Sequence, residues 1–311
     1  MEKTLNTLMA RLRLKQLQLL IALDDHKSLH KAAGVMAMTQ SAASKVLHEL
    51  EDMVGVALFE RSKTGMIPNQ YGHSLIRHAR LMVTGVGALC QDIADIRSGK
   101  GGRLAIGSIM GAVPDVIAPI LNWLHSRQPA LTIEVVEDTS KRLLALLEDG
   151  KIDLMIGRIA GMDDQGKFRY QPLCDEPVSV VVGHGHPPLR KKELTLRDLK
   201  DHRWVVYPSR MPLHTLLERE FDRAGLSMPA NHIATASSLV TITLLERSMD
   251  AAALLPTEVA TFFEKHRIVR ILPIQLHSKQ QTFGIVTRSG GTLSPPAEQF
   301  IQLLRDRNMV H

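Results

Sequence analysis

Between Leu12 and Leu23 apolar residues fall at Leu12, Leu17, Leu20, Ile21 and Leu23, the spacing of one helix face, and the polar run Asp24-Asp25-His26-Lys27 ends it. Ser28 is placed to cap a second, short helix with Leu29, Ala32, Ala33 and Met36 on one side, where the alanines permit close packing. Thr39 caps a third, in which Ala42, Ala43, Val46, Leu47 and Leu50 interleave with Gln40, Ser41, Ser44, Lys45 and His48. Three short helices with a tight turn between the second and third have the sequence form of a helix-turn-helix. After Gly55, VALFERSKTGMIPNQYG reads as two short extended pieces around a turn at Lys63-Thr64-Gly65, a β-hairpin wing beside the third helix.

Asn69 can cap the next segment, which runs to about Arg97. Its apolar residues Leu75, Ala79, Met82, Val86, Leu89, Ile93 and Ile96 alternate steps of four and three, a heptad seam suited to pairing with a second copy of the helix. Gly85 and Gly87 weaken it by about 1 kcal/mol each, and a surface helix packed on its own domain would show the same stripe. Ser98-Gly99-Lys100-Gly101-Gly102 then breaks the helix and reads as a hinge.

Beyond the hinge, strands and helices alternate. Strand 103–109, a helix opened by Pro114, strand 131–137, a helix capped near Thr139 and stopped at Gly150, and strand 152–158 form one set. Strand 203–207, helix 212–224, strand 231–236, helix 238–248 and strand 251–255 form another. This rhythm predicts parallel βαβ units in two lobes. Extended stretches at 168–182 and 268–288 supply two crossings between them, the plan of a hinged, cleft-forming α/β domain.

Charge supports the division. The 311 residues carry a net charge of +6, and residues 1–80, with 11 basic against 7 acidic side chains, hold four of the excess positives. A basic N-terminal module fits a phosphate-bearing partner. Aromatic residues are only 4% of the chain, which argues against single-strand readers that stack bases on rings. No apolar run reaches the ~18 residues of a membrane span, so no membrane partner is expected. Cys90 and Cys174 lie far apart without CxxC spacing, which fits a reducing cytoplasm.

The stretch LRLKQLQLLIALDDHKSLHKAAGVMAMTQSAASKVLHELEDMVGVALFER and the Asn69 to Gly72 turn resemble the LysR-type transcriptional regulators, and the order of the remaining parts is similar over nearly the full chain. The resemblance implies a fold of the α + α/β class. It has a winged helix-turn-helix over 1–72, a dimerising linker helix and hinge over 73–102, and an effector-binding domain over 103–311 resembling type 2 periplasmic binding proteins. We expect lobe I at about 103–170 and 276–311, and lobe II at about 171–275. The implied partners are double-stranded promoter DNA, a small-molecule effector such as a carboxylate or sugar-like metabolite, a second copy of the chain with further assembly as a dimer of dimers, and RNA polymerase when the regulator activates. Two departures stand out: Ser41 where proline is common, and Pro68-Asn69 where Leu-Thr is common.

The residues support this reading on their own. A helix entering the major groove needs short or amide side chains near its N-terminus, and Gln40 can pair bidentately with adenine. Thr39, Ser41, Ser44 and Lys45 accompany it, while Arg61 and Lys63 on the wing are placed for backbone phosphates. In the C-terminal part, strand ends run into helix N-termini at Gly107-Ser108-Ile109-Met110, Asp138-Thr139-Ser140, Pro208-Ser209-Arg210 and Ala236-Ser237-Ser238, where backbone N–H groups and hydroxyls suit a small polar ligand. Each hydroxyl could equally be a helix cap. The resemblance assigns Ser108, Thr139 and Ser237 to the effector, and Arg210 adds a cation.

Other signals carry less. His184 and His186 lack a third metal ligand of suitable spacing, and the methionines read as core filler. The Gly107 to Gly111 stretch lacks the third glycine and acidic partner of a dinucleotide site, so no cofactor is expected, and no P-loop or nucleophile elbow occurs. An enzyme or a solute-binding module that uses the N-terminal helices only for assembly is the competing reading. Groove-reading residues at the head of a third helix, followed by a wing, speak against it.

Overall fold

The helices expected after Ser28, Thr39 and Asn69 begin where those caps predict them. The computed structural model describes residues 2–62, 65–97, 101–159, 166–187, 191, 193–209, 211–278 and 281–306. It divides into two compact units, Met1–Gly102 with Ala145–Ile152, and Arg103–Leu144 with Asp153–His311.

The first unit contains α1 (Glu2–Arg11), α2 (Leu14–His26), α3 (Leu29–Val35) and α4 (Gln40–Val54), then the hairpin β1 (Phe59–Ser62) and β2 (Gly65–Pro68), then α5 (Gln70–Arg97). The helix α1 is additional to those expected, because Leu5, Leu8 and Met9 are too few to mark it by periodicity. Ser28 Oγ accepts from Lys31 N and Thr39 Oγ1 from Ala42 N, so both predicted caps form. Asn69 caps α5 by accepting from the backbone N–H groups of Tyr71 and Gly72, and its Nδ2 donates to Ala57 O, tying the cap to the wing. Leu17, Leu20, Leu23, Ala32, Ala33, Ala43, Leu47, Leu50, Leu58 and Ile76 make the core. Each fully buried leucine contributes about 1.5–3 kcal/mol.

Two contacts fix the wing and α5 against α2. Gly65 has φ 123°, and a Cβ there would lie 2.2 Å from Lys27 O, so only glycine lets the hairpin approach the end of α2. Arg80 on α5 donates to both Asp24 and Asp25. Burial by itself would raise the Asp24 carboxyl, but Lys27 and Arg80 outweigh it and hold the group below the usual carboxylate range.

The second unit holds two five-stranded sheets. Lobe I comprises β3 (Arg103–Ser108), β4 (Thr132–Glu137), β5 (Leu154–Gly157), β6 (Phe168–Glu176) and β12 (Gln281–Arg288), in the order β4-β3-β5-β12-β6. Lobe II comprises β7 (Val178–Gly183), β8 (Arg203–Val206), β9 (His232–Ala234), β10 (Ala251–Pro256) and β11 (Val269–Ile271), in the order β11-β7-β10-β8-β9. The pairs β3–β4, β3–β5, β8–β10 and β8–β9 are parallel, as the alternation predicts. The crossing strands β6, β7 and β12 and the edge strand β11 pair antiparallel, so both sheets are mixed.

The expected boundary between lobes at residue 170 is corrected. The whole of β6 pairs with β12, Gln281 opposite Glu176 through Arg288 opposite Phe168, so lobe I extends to Glu176 and the chain changes lobe at Pro177. Helices α6 (Ala118–Arg127) and α11 (Pro295–Arg305) belong to lobe I, α7 (Ser140–Glu148) begins there and from Ala145 onward is grouped with the first unit, and α8 (Pro212–Arg223), α9 (Ser238–Arg247) and α10 (Thr257–Lys265) belong to lobe II. The alternation predicts neither α10 nor α11. In lobe I, Leu104, Ile106, Leu124, Leu143, Ile156 and Phe300 are buried, and in lobe II Val180, Trp204, Phe221 and Leu254.

Candidate functional site

On α4 the buried residues are Ala43, Leu47 and Leu50, and Gln40, Ser41, Ser44 and Lys45 are all exposed. Chain entry is set by the turn after α3, where Ala37 takes φ 50° at a cost of about 1–2 kcal/mol. The helix N-terminus therefore presents an amide, two hydroxyls and an ammonium on one solvent-facing surface. Thr39 differs from its neighbours. Its hydroxyl is occupied by Ala42 N at 3.2 Å and by Ser41 Oγ at 3.0 Å, so it shapes the surface by capping. Arg61 lies in β1 opposite Met66, with its side chain outside the described part, and Lys63 lies outside the described residues.

The apolar stripe on α5 splits in two. Ala79 is fully buried in the core of its own unit and Leu75 packs against that core, because α2 covers this half of the stripe. Ala79 is thereby corrected: a side chain sealed inside its own chain cannot face a symmetry mate. Met82, Val86, Leu89 and Ile93 continue the same face and are 40–57% exposed.

In the second unit the predicted turns fare differently. Ser108 ends β3 with no exposed surface, and its hydroxyl donates to Ile109 O at 2.9 Å. It is corrected from an open ligand contact to a buried, internally satisfied one. Thr139, half-buried, precedes α7, its N–H bonded to Asp138 Oδ1. Ser237 is exposed and caps α9 by accepting from Val240 N at 3.4 Å. The neighbouring Ser238 Oγ donates to Glu137 Oε1 at 3.0 Å, a bond from lobe II to the end of β4 in lobe I. Arg210 lies outside the described residues.

Sequence reasoning misses the buried polar group beside these turns. Arg158, just past β5, donates to Glu176 at the end of β6, and the two side chains are only 11% and 7% exposed. Burial pushes the Glu176 carboxyl up, and the pull of Arg158 only partly offsets it. A Cβ at Gly111 would collide with Glu176 Oε1 and lie 3.2 Å from Pro256 Cβ, so the absence of a side chain there makes room for the carboxylate. Tyr207, at the end of β8 in lobe II, is 4% exposed, and its phenol is pushed up by burial and by the nearby charges of Glu176 and Glu137. Two buried polar atoms here, Tyr207 Oη and Arg158 Nε, have no hydrogen-bond partner among the described residues. No spacing rule could have found this set, whose members come from three strand ends and both lobes.

Comparison with known families gives two matches. A family model for the bacterial regulatory helix-turn-helix protein, lysR family, covers residues 14–73, and one for the LysR substrate binding domain covers residues 97–309. The chain belongs to the LysR family of transcriptional regulators. It is a DNA-binding regulator with an effector-binding domain, not an enzyme. Among its relatives, the HTH-type transcriptional regulator GbpR of Azospirillum brasilense is 34% identical over 299 residues, spanning 96% of this chain and 87% of that protein. The fold matches the crystal structure of CbnR, a LysR family transcriptional regulator, with TM-score 0.63 at 17% identity, covering 95% of this chain and 99% of that one. It also matches full-length CbnR complexed with its target DNA, with TM-score 0.62 at 16% identity, covering 95% and 99% of the two chains.

Within this LysR regulator the departure at Ser41 has a local account. The Ser41 hydroxyl shares a hydrogen bond with the Thr39 cap and so reinforces the start of α4 from the side chain, where a proline would do so by fixing φ. Asn69 likewise performs the capping that a threonine would.

The histidines resolve into a different pair from the one that the sequence offers. His186, 4% exposed, contacts His202 rather than His184, Nε2 to Nε2 at 2.9 Å. Because Nδ1 of His186 faces Pro187 O at 2.7 Å and must donate, His202 Nε2–H donates to His186 Nε2. Burial and then the His186 ring lower the His202 pKa, against the opposing pull of Asp250 and Asp201. The unfolded chain binds the proton more readily than the folded one, so lobe II should lose stability as pH falls below about 6.5 and on through the lower folded pKa. Urea midpoints followed by tryptophan fluorescence, with Trp123 replaced by Phe so that Trp204 alone reports, should show this slope between pH 7 and 5, and His202→Gln should flatten it.

Proposed function

We propose that this LysR regulator changes its hold on promoter DNA when a small polar metabolite, carboxylate or sugar-like, binds between the two lobes of its second unit. The observation that carries this reading is the buried junction of Arg158, Glu176 and Tyr207, where two polar atoms have no partner among the described residues and the lobes are bridged by Ser238 and Glu137. Thr139 and Ser237 stand at the same strand-to-helix turns, and Arg210 would add a cation. A ligand gripped from both lobes shifts their equilibrium by its differential affinity for the closed form.

Promoter DNA is read by Gln40, Ser41, Ser44 and Lys45 on α4, with Arg61 and Lys63 on backbone phosphate. The exposed stripe Met82, Val86, Leu89 and Ile93 joins two copies, and such dimers pair further as dimers of dimers. The protein works in the cytoplasm and meets RNA polymerase when it activates.

The DNA assignment is tested by comparing two substitutions on operator and scrambled duplexes. Gln40→Ala should cost about 1–3 kcal/mol at its base pair and relax preference there. Arg61→Ala should weaken all sequences alike and lower the salt dependence. An unchanged specificity ratio for Gln40→Ala would remove Gln40 from the reading set. The effector assignment is tested at a reporter promoter, where Ser237→Ala and Thr139→Val together should reduce the response to the metabolite while the protein stays folded.

A further inference from the structure

One segment of the effector-binding domain belongs by packing to the DNA-binding unit. Residues Ala145–Ile152, the end of α7 and the turn after it, group with Met1–Gly102, whereas the start of α7 and the strand β5 group with the second unit. The helix is thus one stiff element shared by both. Leu143 and Leu147 have no exposed surface, and nine residues give α7 a length of about 14 Å.

The far end of α7 is fitted to α5. Gly150, at φ 73°, closes the helix with its own N–H donating to Leu147 O and Lys151 N donating to Leu146 O, so those carbonyls are met within the turn. The Asp149 carbonyl accepts from Thr84 Oγ1 at 3.0 Å. A Cβ added at Gly150 would stand 3.4 Å from Leu81 Cδ2 and 3.5 Å from Thr84 Cγ2, and Arg77 Nε lies 3.9 Å from Glu148 Oε1. Burial by itself would lower the Arg80 guanidinium, but Asp25 and Asp24 of α2 and the charge of Asp149 raise it, so one side chain of α5 senses both neighbours. Arg77, Leu81 and Thr84 recur at steps of four and three on a different side of α5 from Met82, Val86 and Leu89. A second copy on the stripe would leave this joint undisturbed.

The near end is fitted to the buried pair. Ser140 Oγ, on the first residue of α7, accepts from Arg158 N at 3.1 Å, and Arg158 carries the bond to Glu176. Beyond the joint the chain is pinned again, because Asp153 N donates to Ala105 O and Asp153 Oδ2 accepts from Ala105 N, both at 2.8 Å. From there β5, buried along its whole length, returns to Arg158. A shift of Arg158 must therefore move α7, β5 or both, since closely packed elements translate as bodies rather than compress.

We propose that α7 couples the second unit to the DNA-binding unit through its joint with α5, and that Thr84 is a positioning residue for this coupling. The coupling does not depend on the identity of the effector. Whatever changes at Arg158 reaches α5 through this helix, and by reciprocity DNA held by α4 is felt at Arg158.

The test takes operator duplex as the only ligand and amide hydrogen exchange on the full chain as the readout. In the parent, saturating duplex should slow exchange in α4 and change it about fivefold or more in the peptides that carry Leu143 and Arg158, the low end of ordinary couplings. Thr84→Val keeps the shape and removes the donor. It should preserve the protection of α4 while reducing the change at Leu143 and Arg158 to less than twofold. Thr84→Ser retains the hydroxyl and should retain the change. A merely structural Thr84 would raise exchange with and without DNA alike and leave the difference between the two standing, which overturns the proposal, as does a parent in which duplex changes neither peptide. Protection of α4 is read from the same data, so that a failure of the DNA assignment is seen apart from a failure of the coupling.

Discussion

Arg158→Ala is expected to lower the stability of the effector-binding unit by about 3–5 kcal/mol at pH 8, the cost of leaving a buried carboxylate without its partner. Glu176 is 7% exposed, and the guanidinium of Arg158 is its charged hydrogen-bond partner. The loss should shrink in acid, and the sign follows from linkage. Burial raises the folded-state pKa of Glu176 above its unfolded value, so the folded chain binds the proton more tightly and stability falls as pH rises through that interval. Removing Arg158 raises the folded value further and widens the interval, so the variant should recover part of its stability between pH 8 and 5. Both tryptophans, Trp123 on α6 and Trp204 on β8, belong to this unit. Urea melts of the full chain followed by tryptophan fluorescence therefore report on it alone. A variant as stable as the parent at pH 8 would show that the pair is not desolvated.

Leu89→Asp should abolish the dimer at micromolar concentration and reduce binding to paired half-sites at least a hundredfold. Leu89 is 57% exposed at the centre of the open half of the stripe, and in a two-copy seam the new charge would be buried beside its symmetry mate. Half-sites about one helical turn apart need both copies, so loss of pairing removes most of the affinity. Ala79→Asp makes the contrasting control. Its side chain sits in the core formed with α2, so the charge should unfold the winged helix itself rather than leave a folded monomer. Sedimentation velocity separates a folded monomer from an unfolded chain, and an undisturbed oligomer for Leu89→Asp would mean that something other than a second copy covers the stripe.

The local features were legible in the amino-acid sequence because their causes are local. A cap hydroxyl meets a backbone N–H three residues away, so Ser28, Thr39 and Asn69 announce their helices without reference to the rest of the chain. Helix and strand periods likewise depend on neighbours within a turn or two, which is why α2 to α5 and the two βαβ sets could be read in order. Which strand pairs with which is not local. The boundary at Pro177 follows from β6 pairing with β12 more than a hundred residues later, and no spacing within 168–182 reveals it.

The same reason divides the candidate sites. The exposed side of α4 is the polar complement of its own apolar stripe, so Gln40, Ser44 and Lys45 could be placed from sequence. Periodicity gave the face of α5 but not its cover. One stripe runs from buried Ala79 to exposed Leu89, and only the position of α2 decides where it leaves the core. At the lobe junction the sequence offered hydroxyls beside helix starts, and packing decided among them, sealing Ser108 and leaving Ser237 open. Arg158, Glu176 and Tyr207 are ordinary residues at separate strand ends. Their chemistry arises from shared burial, which raises the cost of every unmet hydrogen bond and unpaired charge, and burial is a property of the assembled fold.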